Sequence, residues 1–191
     1  MKRIITTSIK AIIFTAAFII SLYIFLPWRE AGTFALSMAA DRLQRMGMRL
    51  SYSDVSGENG GFTVSNLALS GMVNISAGSV TIKPDIASSL LSIAPVCDIT
   101  FKGAGARLGS AMNFGSGGFL LTAGREITLE NLHTDGEISL DGYIAVSPSN
   151  MRITRANARF DVPEEMSRNM SLLRNFLPLV QEGDKWYLRR N

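Results

Sequence analysis

A chain of 191 residues is long enough for one domain with its own core plus a short appendage. Its charged fraction, 18%, is below the usual quarter, and the formal net charge of +3 comes wholly from the first ten residues. Setting aside Lys2, Arg3 and Lys10 leaves 16 basic residues against 16 acidic ones, so the body is neutral and lacks the basic, aromatic-interleaved stripe that nucleic-acid binding requires.

Residues 11–26 (AIIFTAAFIISLYIFL) carry no charge, and Ile4 to Ile9 add six more uncharged positions. With Lys10 snorkelling, the apolar stretch reaches about 20 residues, enough for a helix to cross a bilayer. Trp28, just after Pro27, stands where an interfacial aromatic would sit. A cleaved signal peptide shares the basic start but has a shorter apolar core. The nearest small-residue cleavage site, around Ser37-Met38-Ala39, is too far beyond that core and lies in a helical pattern. The reading is therefore a tail over 1–10, a transmembrane signal anchor over 11–28, a juxtamembrane helix over 29–47 and a β-rich domain over 48–191. The positive charges closest to the span put the tail in the cytoplasm and the domain outside it.

Residues 29–47 have helical spacing, with Ala31, Phe34, Ala35, Met38, Leu43 and Met46 on one side and Gly47 suited to ending the helix. From Met48 the period falls to two. Strand-like alternation runs through 48–53, 62–69, 73–77, 79–83, 96–103, 106–114, 118–123, 126–132, 137–147 and 151–160. The expected joints are GENGG at 57–61, Gly71, Gly78, a short helix or coil over 85–94, Gly103, Gly105, GSGG at 115–118, Asp135-Gly136 and 148–150. Such short joints predict a mainly β fold, a curved antiparallel sheet shaped as a half-pipe or open meander. Asp161 to Glu165 open a C-terminal amphipathic helix whose apolar face is Met166, Met170, Leu173, Phe176, Leu177 and Val180, and 185–190 form a last strand. Two decapeptides, FTVSNLALSG (62–71) and ITLENLHTDG (127–136), share Thr, Asn, Leu and Gly at matching places. Two copies 65 residues apart do not make a solenoid, so the likeness describes two similar strands of one sheet.

Little of this suggests catalysis. His133 is the one histidine; Asp135 nearby is better suited to the Asp-Gly turn, and no nucleophile elbow occurs. Asp135, Glu137 and Asp141, spaced two and four apart, would hold calcium only weakly and read better as the wet face of a strand. GAGARLGSAMNFGSGG lacks the lysine of a phosphate loop and precedes no helix. Cys97, in an apolar alternation, reads as a small buried hydrophobe, and the sequons at Asn74 and Asn169 are too short to weigh. The expectation is a scaffold or binding surface rather than an enzyme, with no cofactor and no metal site.

A basic tail and span ending in LPW, a helix, then RLSYSDVSG, GGFTVSNLALSG and SVTIKPDIASSLLSIAP follow one another in a familiar order. Through Arg49, Val55, Phe62 to Leu69 and Val80 to Pro84, and again through LLRNFLPLVQEGDKWYLRRN, the chain resembles the protein N family of bacterial type II secretion systems (GspN). The resemblance implies a single-pass inner-membrane protein with a periplasmic domain, an accessory to protein export whose partners are other secretion subunits. It also implies kinship with the AsmA-like half-pipe proteins, whose apolar interiors suit lipid chains. On that reading Phe62, Val64, Leu67, Phe119, Leu121, Leu129 and Leu132 supply part of an apolar groove; the alternative is that they form an ordinary core.

Overall fold

The computed structural model describes residues 14, 17, 18, 21, 23, 25–58, 60–71, 74–108, 110–150, 152–164, 167, 174, 177–183 and 185–190. Lys10 and much of the expected span 11–28 lie outside them, as does most of the expected helix after Asp161. Among the described residues no helix is long and apolar enough to cross a membrane. The described positions 14, 17, 18, 21, 23 and 25 are helical, and the chain breaks at Leu26-Pro27 before α1, Trp28–Arg45. Proline suits that break because it cannot donate to the preceding turn. Helix α1 closes with Gly47 in the left-handed conformation (φ 77°), its N–H bonded to the carbonyl of Gln44 at 3.0 Å, as the sequence led us to expect.

The face that α1 buries is not the expected one. Gly32 and Leu36 are buried, whereas Phe34 is 67% exposed and Met38 60%. Apolar side chains predicted Phe34 and Met38, but the contact is set by the absence of a side chain. A Cβ on Gly32 would stand 2.6 Å from the ring of Phe62, so glycine lets the helix lie directly on the sheet. Gly32→Ala would gain up to about 1 kcal/mol in helix propensity and lose about 1–3 kcal/mol to overpacking. A net fall in the urea midpoint is therefore expected.

The described strands form one antiparallel sheet of eleven. They are β1 (Arg49–Ser51), β2 (Asp54–Glu58), β3 (Gly61–Ser70), β4 (Asn74–Pro84), β5 (Val96–Leu108), β6 (Ser110–Ala123), β7 (Ile127–Thr134), β8 (Ser139–Val146), β9 (Ile153–Asp161), β10 (Leu179–Glu182) and β11 (Lys185–Arg190). From β3 to β9 each strand pairs with the next in sequence; β1 and β2 both lie beside β3, and β11 sits between β9 and β10. A second helix, α2 (Ile86–Ser92), interrupts the β4–β5 connection where a short helix was expected.

Several expected joints are not joints. Gly78 lies within β4, Gly103 and Gly105 within β5, and 115–118 within β6, while β5 ends at Leu108 and β6 begins at Ser110, both inside the expected strand 106–114. Gly57 and Glu58, read as part of a turn, belong to strand β2, and Val180, assigned to a helical face, belongs to strand β10. The misplaced glycines mark irregularities instead. Asn66 (φ 49°) lies across from Gly78, between the pairs Ser65–Ser79 and Leu67–Ala77. Gly103 (φ 62°) comes next, 3.6 Å from the Gly78 nitrogen for a Cβ, and β5 shifts register against β6 beside it. Asn131 (φ 53°) and Gly142 (φ 144°) flank the register shift of β7 on β8. Left-handed residues at bulges bend strands and raise their twist, and asparagine tolerates that conformation better than most residues. The shared asparagine of the two decapeptides thus serves the same backbone purpose twice.

One sheet face carries Thr63, Thr81, Thr100, Gly118, His133, Asp141 and Arg159 in a single row across seven strands. The other is apolar, as alternation requires. Two clusters are packed on it. Leu36 of α1 meets Val55, Phe62 and Val64 at one end; Trp186, Leu188, Leu179, Ala156 and Ala158 pack at the other.

Candidate functional site

Between those clusters the apolar face is only partly covered. Phe62, Ile82, Ile99 and Phe119 form one cross-strand row, and Cys97, Leu121, Leu129 and Ile144 form another. Phe62 and Val64 are buried beneath α1, and Leu67 is half-buried against the same cluster. Leu132 is buried separately at 7% exposure, whereas Phe119, Leu121 and Leu129 stay half-buried in the middle strands. The seven expected groove residues therefore share one face but not one environment. Three are core under α1 or beside it, and three line the partly open strip. The Phe101 and Phe119 rings lie 6.4 Å apart there, where Gly117 supplies no side chain to separate them from the neighbouring strand. Burial raises the Cys97 thiol above its ordinary value, in keeping with its reading as a small hydrophobe.

Of the polar groups weighed for chemistry, His133, Asp135 and Asp141 have structural partners. His133 Nδ1 lies 2.6 Å from Asp141 Oδ1 on the exposed face, and Asp135 instead accepts a hydrogen bond from the Ser116 N–H in the turn. Asp135 and Glu137 precede β8, so they do not join Asp141 along one strand as their spacing suggested. Thr134, a buried polar side chain of the sheet, donates to the Ile138 carbonyl and accepts from the Leu140 N–H. Arg155 beside Glu126 holds that carboxyl below its usual range, and the exposed pair is a clasp between strands rather than a deep charge. Among the described residues no group of three His, Cys, Asp or Glu side chains has metal-binding geometry.

Asp85 caps α2: its carboxylate accepts from the Ser88 hydroxyl at 2.6 Å and from the Ser88 N–H at 2.9 Å. The hydroxyl first, then the N–H, hold the Asp85 carboxyl below its usual value. Because the folded-state value is the lower one, the stabilisation is present above the ordinary value and is lost as pH falls through the folded one. Acidification below the ordinary carboxylate value, about 3.9, is expected to raise amide exchange at Ser88 relative to its intrinsic rate at each pH. In Asp85→Asn that exchange should lose its pH-dependent step; a step that survived would assign it to another group.

The sequence reading missed a further surface. The exposed side of α1 and the β8–β9 turn enclose an open pocket of about 780 Å³, lined by Met38, Asp41, Arg42, Arg45, Met46, Met48 and Pro148 to Asn150. Arg42 donates to the Pro148 carbonyl at 3.2 Å, tying the helix to that turn. Methionine suits an adaptable contact surface because its side chain is unbranched and polarizable. The available signal was that 29–47 carries two apolar sides, one with Gly32 and Leu36 and one with Phe34 and Met38. Trp28, expected at a membrane interface, is half-buried, donates to the Tyr23 carbonyl at 3.0 Å and stacks edge-on to the Tyr23 ring at 5.2 Å.

The family described as type II secretion system protein GspN-like, Synergistales, matches residues 6–190. No curated protein and no solved structure matched. With nearly the whole chain covered, from the apolar N-terminal segment to the last strand, the protein belongs to the GspN-like family of type II secretion proteins.

Proposed function

We propose that the protein is a non-enzymatic accessory component of a type II secretion apparatus, anchored in the inner membrane by residues 11–28. Its tail faces the cytoplasm and its sheet the periplasm, and it acts as a docking scaffold for neighbouring subunits. The family match over residues 6–190 carries the secretion role. The docking role draws on the exposed side of α1, where Phe34, Met38 and Met46 stand bare beside the open pocket. The anchor draws on Phe14, Phe18 and Phe25, which are 74%, 55% and 81% exposed and have the side-chain character of a lipid-facing helix.

Photo-crosslinking from position 38 of the full chain, in cells that carry the secretion genes, should capture secretion subunits. A Met38→Glu/Met46→Glu variant should lower secretion at unchanged protein level. Normal secretion after deletion of the gene would refute the role, and release of the chain by alkaline extraction would refute the anchor.

A second reading has its own observation. The half-buried strip of Ile99, Phe101, Phe119, Leu121 and Leu129 lies between two packed clusters with neither covering it. If the bulges curl the sheet into a half-pipe as in AsmA-like proteins, that strip becomes a cradle for acyl chains. Native mass spectrometry of gently extracted protein should then find stoichiometric phospholipid; bare protein would leave the strip as plain core.

A further inference from the structure

Helix α2 and the residues after it carry the densest exposed apolar group of the described residues: Leu90 is 66% exposed, Leu91 86% and Ile93 93%. Ile93 is also held left-handed (φ 53°), which a β-branched side chain tolerates poorly. Its N–H bonds back to the Ser89 carbonyl, ending α2 and leaving Ile93 outside it. The segment 86–97 has no charged residue. Water is a poor solvent for such a tip, and nothing in the sheet covers it.

The location of α2 indicates what does. The Tyr23 hydroxyl donates to the Gly60 carbonyl at 2.9 Å, and a Cβ on Gly60 would collide with that hydroxyl. Tyr23 also lines a cleft with Lys83, Pro84, Asp85 and Ile86, the entry to α2. Tyr23 belongs to the uncharged run 11–26 and lies three residues before its end. At 1.5 Å per residue this is about 4.5 Å, less than the depth of a headgroup layer. The base of α2 is thus fixed at the level where the apolar segment leaves its solvent. Lys83, Asp85 and Asp98 gather at that base, as charges do at a headgroup boundary, and the three large exposed apolar side chains follow it in the chain.

We propose that Leu90, Leu91 and Ile93 insert into the outer leaflet of the membrane that anchors the chain. This gives the domain a second point of contact and fixes the rotation of the sheet relative to the bilayer. The proposal rests on the anchor put forward above. A tip and a span together form a two-point contact, and two weak membrane signals hold a protein far better than one.

The test uses the full chain with Cys97→Ala, a single Leu91→Cys or Ala111→Cys site bearing an environment-sensitive fluorophore, and reconstitution into phosphatidylethanolamine–phosphatidylglycerol vesicles. Ala111 lies at the opposite end of β6 from Ala123, whose N–H bonds to the Pro95 carbonyl after α2, so it serves as the distant control. The expected result is blue-shifted emission and loss of intensity with nitroxide lipid at position 91, with neither at position 111. If the chain resists alkaline extraction but position 91 stays bright, the tip proposal fails and the anchor stands. Shielding of position 91 from aqueous iodide without lipid quenching would mean a protein covers the tip, which also overturns it. Quenching at both positions would mean that the domain lies flat on the bilayer, contrary to a contact confined to α2. Release by alkaline extraction with position 91 bright would refute both readings.

Discussion

Val64→Asp is expected to be the most damaging single substitution, costing about 4 kcal/mol or more, because an unpaired carboxylate in an apolar core must either stay charged at great cost or be protonated. Val64 is fully buried, with Leu36, Val55 and Phe62 packed around it. The substitution should therefore also free α1 from the sheet, since Leu36 is the large side chain that the helix contributes there. Amide exchange should show α1 losing protection together with β2 and β3. Uniform loss across the whole sheet would mean that the two clusters form one cooperative unit, and the α1 end would not then be separable.

At the far end, Trp186→Ala should cost about 3–5 kcal/mol, the usual range for removing a large buried aromatic. Trp186 is 3% exposed, shares a row with Phe160, and its indole N–H donates to the Ser167 hydroxyl at 3.2 Å. Trp186→Phe keeps most of the ring volume and gives up the hydrogen bond, so it should lose only about 1 kcal/mol. Equal losses in the two variants, read from urea midpoints at constant slope, would mean the hydrogen bond outweighs the packing. Because the Val64 and Trp186 clusters have no residue in common, the double variant should lose the sum of the two single losses.

Much of this fold was legible because strands report themselves through alternation. Phe62 and Val64, or Trp186 and Leu188, lie on one face because they are two apart, and the structure keeps them there. Glycine was not legible in the same way. It reads alike whether it turns the chain, as at Gly183, or bulges a strand, as at Gly103, because both use the same conformational freedom. Gly32 was overlooked for a related reason: a pattern of apolar side chains cannot register a residue whose role is to have none. Strand β10 was hidden because Val180 also fits the helical spacing that begins near Met166. Of the candidate surfaces, alternation supplied the shared face of Phe119, Leu121 and Leu129. It could not say that Val64 would be covered and Phe119 left half open, since coverage depends on where a distant helix lies.

The pairing order has a consequence for how the chain reaches this state. Between β3 and β9 each strand finds its partner in the hairpin just before it, so pairing closes only short loops and proceeds strand by strand as the polypeptide emerges. The last step differs. β11 lies between β9 and β10, and its residues Trp186 and Leu188 belong to the terminal cluster. The growing sheet therefore keeps an unpaired edge at β9 until residues 185–190 arrive, and that edge is the point in assembly at which the chain is most exposed to pairing with the wrong neighbour.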